Sequence, residues 1–460
     1  MPSDKLPRGI RAHAIGIAWP ASIEYIVNTC IMLADTIFIS RVGTEEVAGV
    51  SIAFTLIFMF VAVFNSVAIA STTVVAQAKG AGRIEMGERG AAQSILLAII
   101  LGIGAGAAGY LASAQIMRVM GLSGVAASAG ATYMQVVLLS SPLYAVALSG
   151  GGVMRGVGDT RTPMTFTLIA NSIKIGLSAI LVFGLLGFPA LGVKGAALAT
   201  VVGYSLNALL VSAKLLLRGF DNMRLRRMEI FRPQPVFLRK ILSLSMPVAG
   251  EQLIMRMGFL FYMRVVSALG TVALAANVMA VRLESLALTV GFGYAVASTA
   301  LVGQAVGGGD YAGAEKKAKA TGQLSVLTMA TMAVILLFTR SFTVRIFKPE
   351  PDVYSLAIAC VTIAAFELVP LGFIFTYAGA LRGAGDTRSP MIVAFVGTFA
   401  FRLPLVYLLA LPFGLGLRGV WYGTLLDWIG RAVVMYVIFR HGHWKTKGVI
   451  QESDTIDTRV

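Results

Sequence analysis

The sequence predicts an all-α membrane protein: twelve transmembrane helices in two six-helix bundles, an N-lobe and a C-lobe, related by a pseudo-twofold axis along the membrane normal. Three observations carry this expectation. Hydrophobic residues make up 57% of the 460-residue chain and charged residues only 13%, about half the charge of a soluble domain. Apolar runs of about 20 residues, enough to cross the hydrocarbon core of a bilayer, recur along the whole length. The chain also repeats itself: "RGVGDTRTPM" at 155–164 returns in the second half as "RGAGDTRSPM" at 382–391.

The first span, 13–39, follows a short basic start with no small-residue cleavage site, so it reads as a retained helix and not a signal peptide. Spans two to six cover 47–76, 92–113, 128–150, 163–187 and 192–217. A basic segment with two prolines, 218–240, joins the halves. Spans seven to twelve cover 241–268, 273–303, 320–339, 354–378, 390–412 and 418–439, and a tail runs from 441 to 460. The N-lobe is thus 1–217 and the C-lobe 241–440. Most Lys and Arg fall in segments that face the cytoplasm when both termini lie there. The +16 net charge is therefore topology and contact with anionic lipid in the cell membrane. Nucleic-acid binding is not expected, because no separate basic domain exists.

Shifting the chain on itself by 227 aligns Pro20 with Pro247, Glu24 with Glu251, Glu88 with Glu315 and "QAKGAG" at 77–82 with "QAVGGG" at 304–309. Six spans per copy is an even number, so both copies share one orientation. A cleft between two such bundles suits alternating access. The doubled loop reads as a helix junction. Its glycines end one helix in a left-handed conformation. Thr162 and Ser389 are expected to cap the next helix, with Pro163 and Pro390 at its first position. Arg155, Arg161, Arg382 and Arg388 would hold the loop at the cytoplasmic face, with Asp159 and Asp386 binding those arginines. A phosphate cradle is excluded: the Asp would repel it and no Lys-Ser/Thr follows.

In combination, the doubled loops, "LADTIFISRVG" at 33–43 and "VRLESLALTVGFGYAVASTALVGQAVG" at 281–307 resemble the multidrug and toxic compound extrusion (MATE) family, over essentially the whole chain. The resemblance implies a two-lobe antiporter that exports lipophilic, often cationic compounds while protons or sodium ions flow in. It also implies that Asp35, the first-span acid in an "ADT" context, is a proton or cation site.

Six acids lie inside spans: Glu24, Asp35, Glu251, Glu284, Glu367 and Asp427. Each costs at least a few kcal/mol unless paired or wet, so each asks for a partner or a function. Glu24 and Asp35 stand close to three helical turns apart, with Asn28 between them on one face. Pro20 should bend the helix just before them. The second copy differs here, because Tyr262 takes the place of Asp35. Met255 stands where one branch of the family carries an essential glutamate. Glu251, one turn earlier, either takes over that work or pairs with Arg256 or Arg282.

Span five reads "NSIKIGLSAILVFG", with Lys174 and Ser178 where relatives often carry Asn and Asp. Asn171, Lys174 and Ser178 share a face. Lys174 either pairs with Asp35, filling the place of a sodium ion, or pairs with an unrelated acid. Both readings favour protons over sodium; protonation of Asp35 would then break or make a salt bridge. In span eight, Arg282 and Glu284 point apart, whereas Asn277 and Glu284 share a face, which Glu367 would join from span ten. Asn28, Met255, Tyr262, Asn277, Arg282, Glu284 and Glu367 are thus the cavity candidates. Asp427 and Arg431, four apart, read as a structural pair.

Two cysteines and three histidines, the latter near the ends, offer no metal cluster. No nucleotide-binding or nucleophile motif supports an enzyme or an ATP-driven pump. No cofactor is expected beyond H+ or Na+ as coupling ion. The expected partners are the bilayer and small lipophilic or cationic molecules, met as a monomer. The competing reading is a flippase for lipid-linked oligosaccharides, which would favour a cavity dominated by Lys and Arg.

Overall fold

The computed structural model describes residues 8–219 and 227–449. Residues 1–7, 220–226 and 450–460, parts of the expected N-terminal tail, basic linker and C-terminal tail, lie outside the described residues. Among the described residues every regular element is helical, as a chain in lipid requires, because a helix satisfies its backbone groups internally.

The first three spans are α1 (Arg8–Ser40), α2 (Thr44–Gly80) and α3 (Ile84–Val119). The fourth, expected as one continuous run, is α4 (Gly124–Leu139) and α5 (Ser141–Gly156), bent by 53°. Pro142 supplies no N–H there, and the Ser140 and Ser141 hydroxyls bond back to Val137 O and Leu138 O. Next come α6 (Arg161–Phe183) and α7 (Gly192–Ala213), the latter running into a π-helical turn at Lys214–Arg218. A single turn, α8 (Arg227–Ile230), precedes α9 (Pro235–Ala268), α10 (Thr271–Gly307), α11 (Tyr311–Arg345) and α12 (Pro351–Gly383). The eleventh span is α13 (Arg388–Val396), a π-helical stretch (Gly397–Arg402) and α14 (Leu403–Ala410). Pro404 would clash with the carbonyl four residues back, which explains the widened turn before it. The last span is α15 (Gly416–His441), followed by a 3-10 turn at His443–Thr446.

Ten of these helices are long and apolar enough to cross a membrane, or eleven with the bent pair. The twelfth, α9, has 34 residues and carries Glu251, Arg256 and Arg264 among its apolar side chains. α1 runs on as one helix through Pro20.

Two compact units result. The C-terminal unit takes Met1–Tyr25 and Pro247–Val460; the N-terminal unit takes Ile26–Met246. Both α1 and α9 are therefore shared. The first part of α1 lies on α10, where Ser22 Oγ donates to Val290 O at 3.0 Å. The start of α9 belongs with α3. There the buried Gln93 side chain donates to Glu229 O and Arg232 O and accepts from Gln234 N, fastening the linker.

The sequence repeat is also a repeat of packing. In the N-terminal unit a Cβ on Gly152 of α5 would lie 2.3 Å from Ala68 O of α2. Thr72 Oγ1 donates to both Ala68 O and Gly152 O. The C-terminal unit matches this arrangement residue for residue, at the positions to which the repeat carries it. A Cβ on Gly379 would lie 2.4 Å from Ala295 O, and Thr299 Oγ1 donates to Ala295 O and Gly379 O. Only a glycine lets these backbones approach so closely, the small-residue packing expected of membrane helices.

The doubled loops end α5 and α12 with left-handed glycines, Gly158 (φ 93°) and Gly385 (φ 96°). Two expectations for them need correction. Thr162 and Ser389 are not the capping acceptors. Asp159 accepts from Thr162 N and Oγ1, and Asp386 from Ser389 N and Oγ. A carboxylate offers two acceptors and suits the positive end of a helix better than a hydroxyl. Pro163 and Pro390 consequently stand third, not first, in α6 and α13. Nor does Asp386 hold Arg382: it pairs with Lys447 at 3.0 Å, while Arg382 turns to Glu251. Arg161 and Arg388 are exposed, and Arg155 is buried.

Candidate coupling sites

In the N-terminal unit, α1 and α6 bring Asp35 and Lys174 together, with Lys174 Nζ donating to Asp35 Oδ2 at 2.6 Å. Asp35 is 1% exposed and Lys174 6%. A glycine on α7 makes room for the lysine stem: a Cβ on Gly203 would lie 3.0 Å from Lys174 Cβ. Two turns before Asp35 on α1, Asn28 accepts from Asn171 Nδ2 at 3.0 Å, so the polar faces of α1 and α6 meet twice. Ser178 is fully buried, and neither its Oγ nor Asp35 Oδ1 has a hydrogen-bond partner. Tyr133 of α4 and Tyr204 of α7, the latter stacked on Tyr144 at 4.0 Å, lie near Asp35. Glu24, expected on the same stripe, belongs to the C-terminal unit and is partly buried.

The C-terminal unit holds three acid centres. Glu251 binds Arg382 Nη2 through both oxygens, at 2.6 and 2.8 Å. The expected partners Arg256 and Arg282 are both exposed; the partner is instead Arg382, in the last turn of α12. Glu284 of α10 and Glu367 of α12 lie close to each other, and Thr424 Oγ1 donates to Glu367. On the same face of α10, Asn277 accepts from Tyr262 OH at 2.6 Å. The third centre is Asp427, which accepts from Arg431 Nε and Arg402 Nε, each at 2.8 Å. Both guanidiniums lie over Trp428, at 4.1 Å for Arg402 and 5.0 Å for Arg431. Arg431 also donates to Thr398 Oγ1 at 3.0 Å and lies 3.4 Å from Met255 Sδ. The π-helical stretch places Thr398 and Arg402 here. Gly397 is needed, because a Cβ would fall 2.3 Å from Arg431 Nε.

Sequence reasoning places Arg382 only in the doubled loop, and it misses Arg402 and Thr424 as site residues. A signal existed for the first: the shift that defines the repeat carries Glu24 onto Glu251 and Arg155 onto Arg382 together. Thr424 and Arg431 flank Asp427 at helical spacings on α15, which also points to one polar face. Among the described residues no group of three or more His, Cys, Asp or Glu could hold a metal ion.

The profile of the MatE family matches residues 20–180 and 247–408, two stretches whose starts are the paired prolines of the repeat. The "Probable multidrug resistance protein NorM" of Thermotoga maritima is 29% identical over 98% of this chain and 96% of its own. The "Multidrug resistance protein NorM" of Photobacterium profundum is 26% identical over 92% of this chain and 94% of its own. Among solved structures, an outward-facing multidrug resistance MATE family transporter superposes with a TM-score of 0.88, at 23% identity over 95% of this chain and 98% of that one. A transporter of the same superfamily from Pyrococcus furiosus gives 0.87 at 23% identity, over 95% of this chain and 98% of that one. These likenesses establish the twelve-helix fold.

Proposed function

The chain belongs to the MatE family of membrane transporters, and from that premise we propose that it is a multidrug efflux antiporter driven by protons rather than sodium ions. It exports lipophilic cations by alternating access, working as a monomer in the cell membrane with both termini in the cytoplasm. The NorM relatives support efflux of chemically varied compounds.

One observation carries the choice of ion. A bound sodium ion is held by the negative charge of a carboxylate, and the Lys174 ammonium, 2.6 Å from Asp35 Oδ2, already neutralises that charge. A second monovalent cation would leave a buried pocket with net positive charge, at a cost of several kcal/mol. The Asp35–Lys174 pair is the coupling element in this reading, with Asn171, Ser178 and Asn28 as its polar surround. Glu251, Glu284 and Glu367 line the second set of acid positions.

The test is efflux in cells deprived of their own exporters. Cells expressing the protein should accumulate less of a fluorescent cationic dye, and collapsing the proton gradient should restore accumulation. Asp35→Asn should abolish the effect at equal membrane abundance. Dye levels equal to those of empty cells would reject the assignment.

A further inference from the structure

The Asp35–Lys174 pocket admits few charge states. The ammonium and the carboxylate cancel. Among the described residues, the polar groups placed around the pair are uncharged: Tyr133 from α4, Tyr204 from α7, Asn28 on α1 itself, and Asn171 and Ser178 on α6. Protonating Asp35 would strand the ammonium in a site where Lys174 is 6% exposed. Breaking a buried pair in that way is strongly unfavourable. Any cation that enters beside the ammonium adds the same excess charge. Meanwhile Asp35 Oδ1, in a residue 1% exposed, has no hydrogen-bond partner and offers an incoming cation a free oxygen.

An organic monocation can approach that oxygen without net charge in one way, which is for the lysine to give up its proton. A buried lysine sheds its proton far more readily than an arginine does. We propose that Lys174, not Asp35, carries the exchanged proton in the N-terminal unit. In the forward step an N–H bond of the ammonium breaks, the proton passes to water and the electron pair stays on Nζ. Asp35 remains a carboxylate throughout, paired first with the ammonium and then with the substrate cation. When Lys174 takes up a proton again, its ammonium displaces the cation. One charge leaves the pocket as another enters, so competition for a single carboxylate supplies the coupling. Ser178 Oγ, fully buried and unpartnered, is the group positioned nearby on α6 to receive the neutral amine. This inference rests on the antiporter reading and assigns the proton within it.

Tetraphenylphosphonium, which has no proton of its own, is the probe. It is added to purified full-length protein in weak buffer with a pH-sensitive dye, and an infrared difference spectrum is recorded in parallel. The proposal expects proton release on binding, with no loss of a protonated-carboxyl band belonging to Asp35. Lys174→Arg, which keeps its proton, should cut the release about tenfold or more. Loss of a carboxyl band on binding in the wild type, absent in Asp35→Asn, would make Asp35 the carrier and overturn the proposal. That spectrum needs no Lys174 variant to fold. Release at the wild-type level from Lys174→Arg would overturn it as well. No release from a wild type that still transports along a pH gradient would overturn this inference alone; no release and no such transport would overturn the antiporter reading with it.

Discussion

Removing one member of the Asp35–Lys174 pair strands the other in a buried site. The two side chains are 2% and 7% exposed and 2.6 Å apart, so little water can compensate. Asp35→Asn and Lys174→Met should therefore each destabilise the protein by about 3–5 kcal/mol. The double variant carries no buried charge and nearly the same volume, and replacements of that kind are often close to neutral. The cycle should then show a coupling of at least about 3 kcal/mol, far above the roughly 0.5 kcal/mol typical of independent sites. Unfolding in mixed detergent micelles, followed by helical circular dichroism, measures all four corners. Additive losses, or single variants as stable as the wild type, would show that the pair is not held as a buried ion pair and would refute the reasoning.

Three further outcomes follow from the geometry. Gly152→Ala and Gly379→Ala place a Cβ at 2.3 and 2.4 Å from a facing carbonyl; overpacking should cost about 1–3 kcal/mol, only partly offset by better helix propensity, and similar losses are expected at the two sites. Glu251→Gln or Arg382→Gln removes the bidentate pair that ties α9 to the second loop, so amides of 383–390 should exchange faster in hydrogen–deuterium experiments while those of 156–163 do not. Trp444 is fully buried, stacks on Phe439 at 5.1 Å and donates to Phe439 O; Trp444→Ala should lower stability by about 3–5 kcal/mol in the same unfolding assay.

The helical spans are legible in the sequence because lipid imposes one rule along the whole chain: apolar runs of a fixed length. The bend at Ser140 is not, because Pro142 sits in a run whose composition never changes; only the serine hydroxyls on local carbonyls reveal the break. The loop glycines are readable from their type, whereas the capping role falls to Asp159 and Asp386 and not to Thr162 and Ser389. Both residue types can cap, and spacing alone does not decide which accepts. Lys174 and Asp35 can be suggested as partners because a lone charge in a membrane is costly and few alternatives share their faces. The partner of Glu251 cannot be read in that way. Arg256 is nearer in sequence, but Arg382 arrives from 131 residues away, through helix packing that the local pattern does not encode. The repeat itself survives at the level of single hydrogen bonds, as Thr72 and Thr299 show. The units diverge where charge is concentrated: an acid and a lysine in one, and in the other a tyrosine bonded to Asn277.

In the proposed mechanism a proton gradient, acting through the Asp35–Lys174 pair, drives export. Reconstitution of the full chain into proteoliposomes loaded with a fluorescent lipophilic cation tests it most directly, with a pH gradient and a sodium gradient imposed in turn. The account predicts transport with the pH gradient, none above background with sodium alone, and loss of the pH response in Asp35→Asn. Transport driven by sodium at constant pH, or an undiminished pH response in Asp35→Asn, would contradict it.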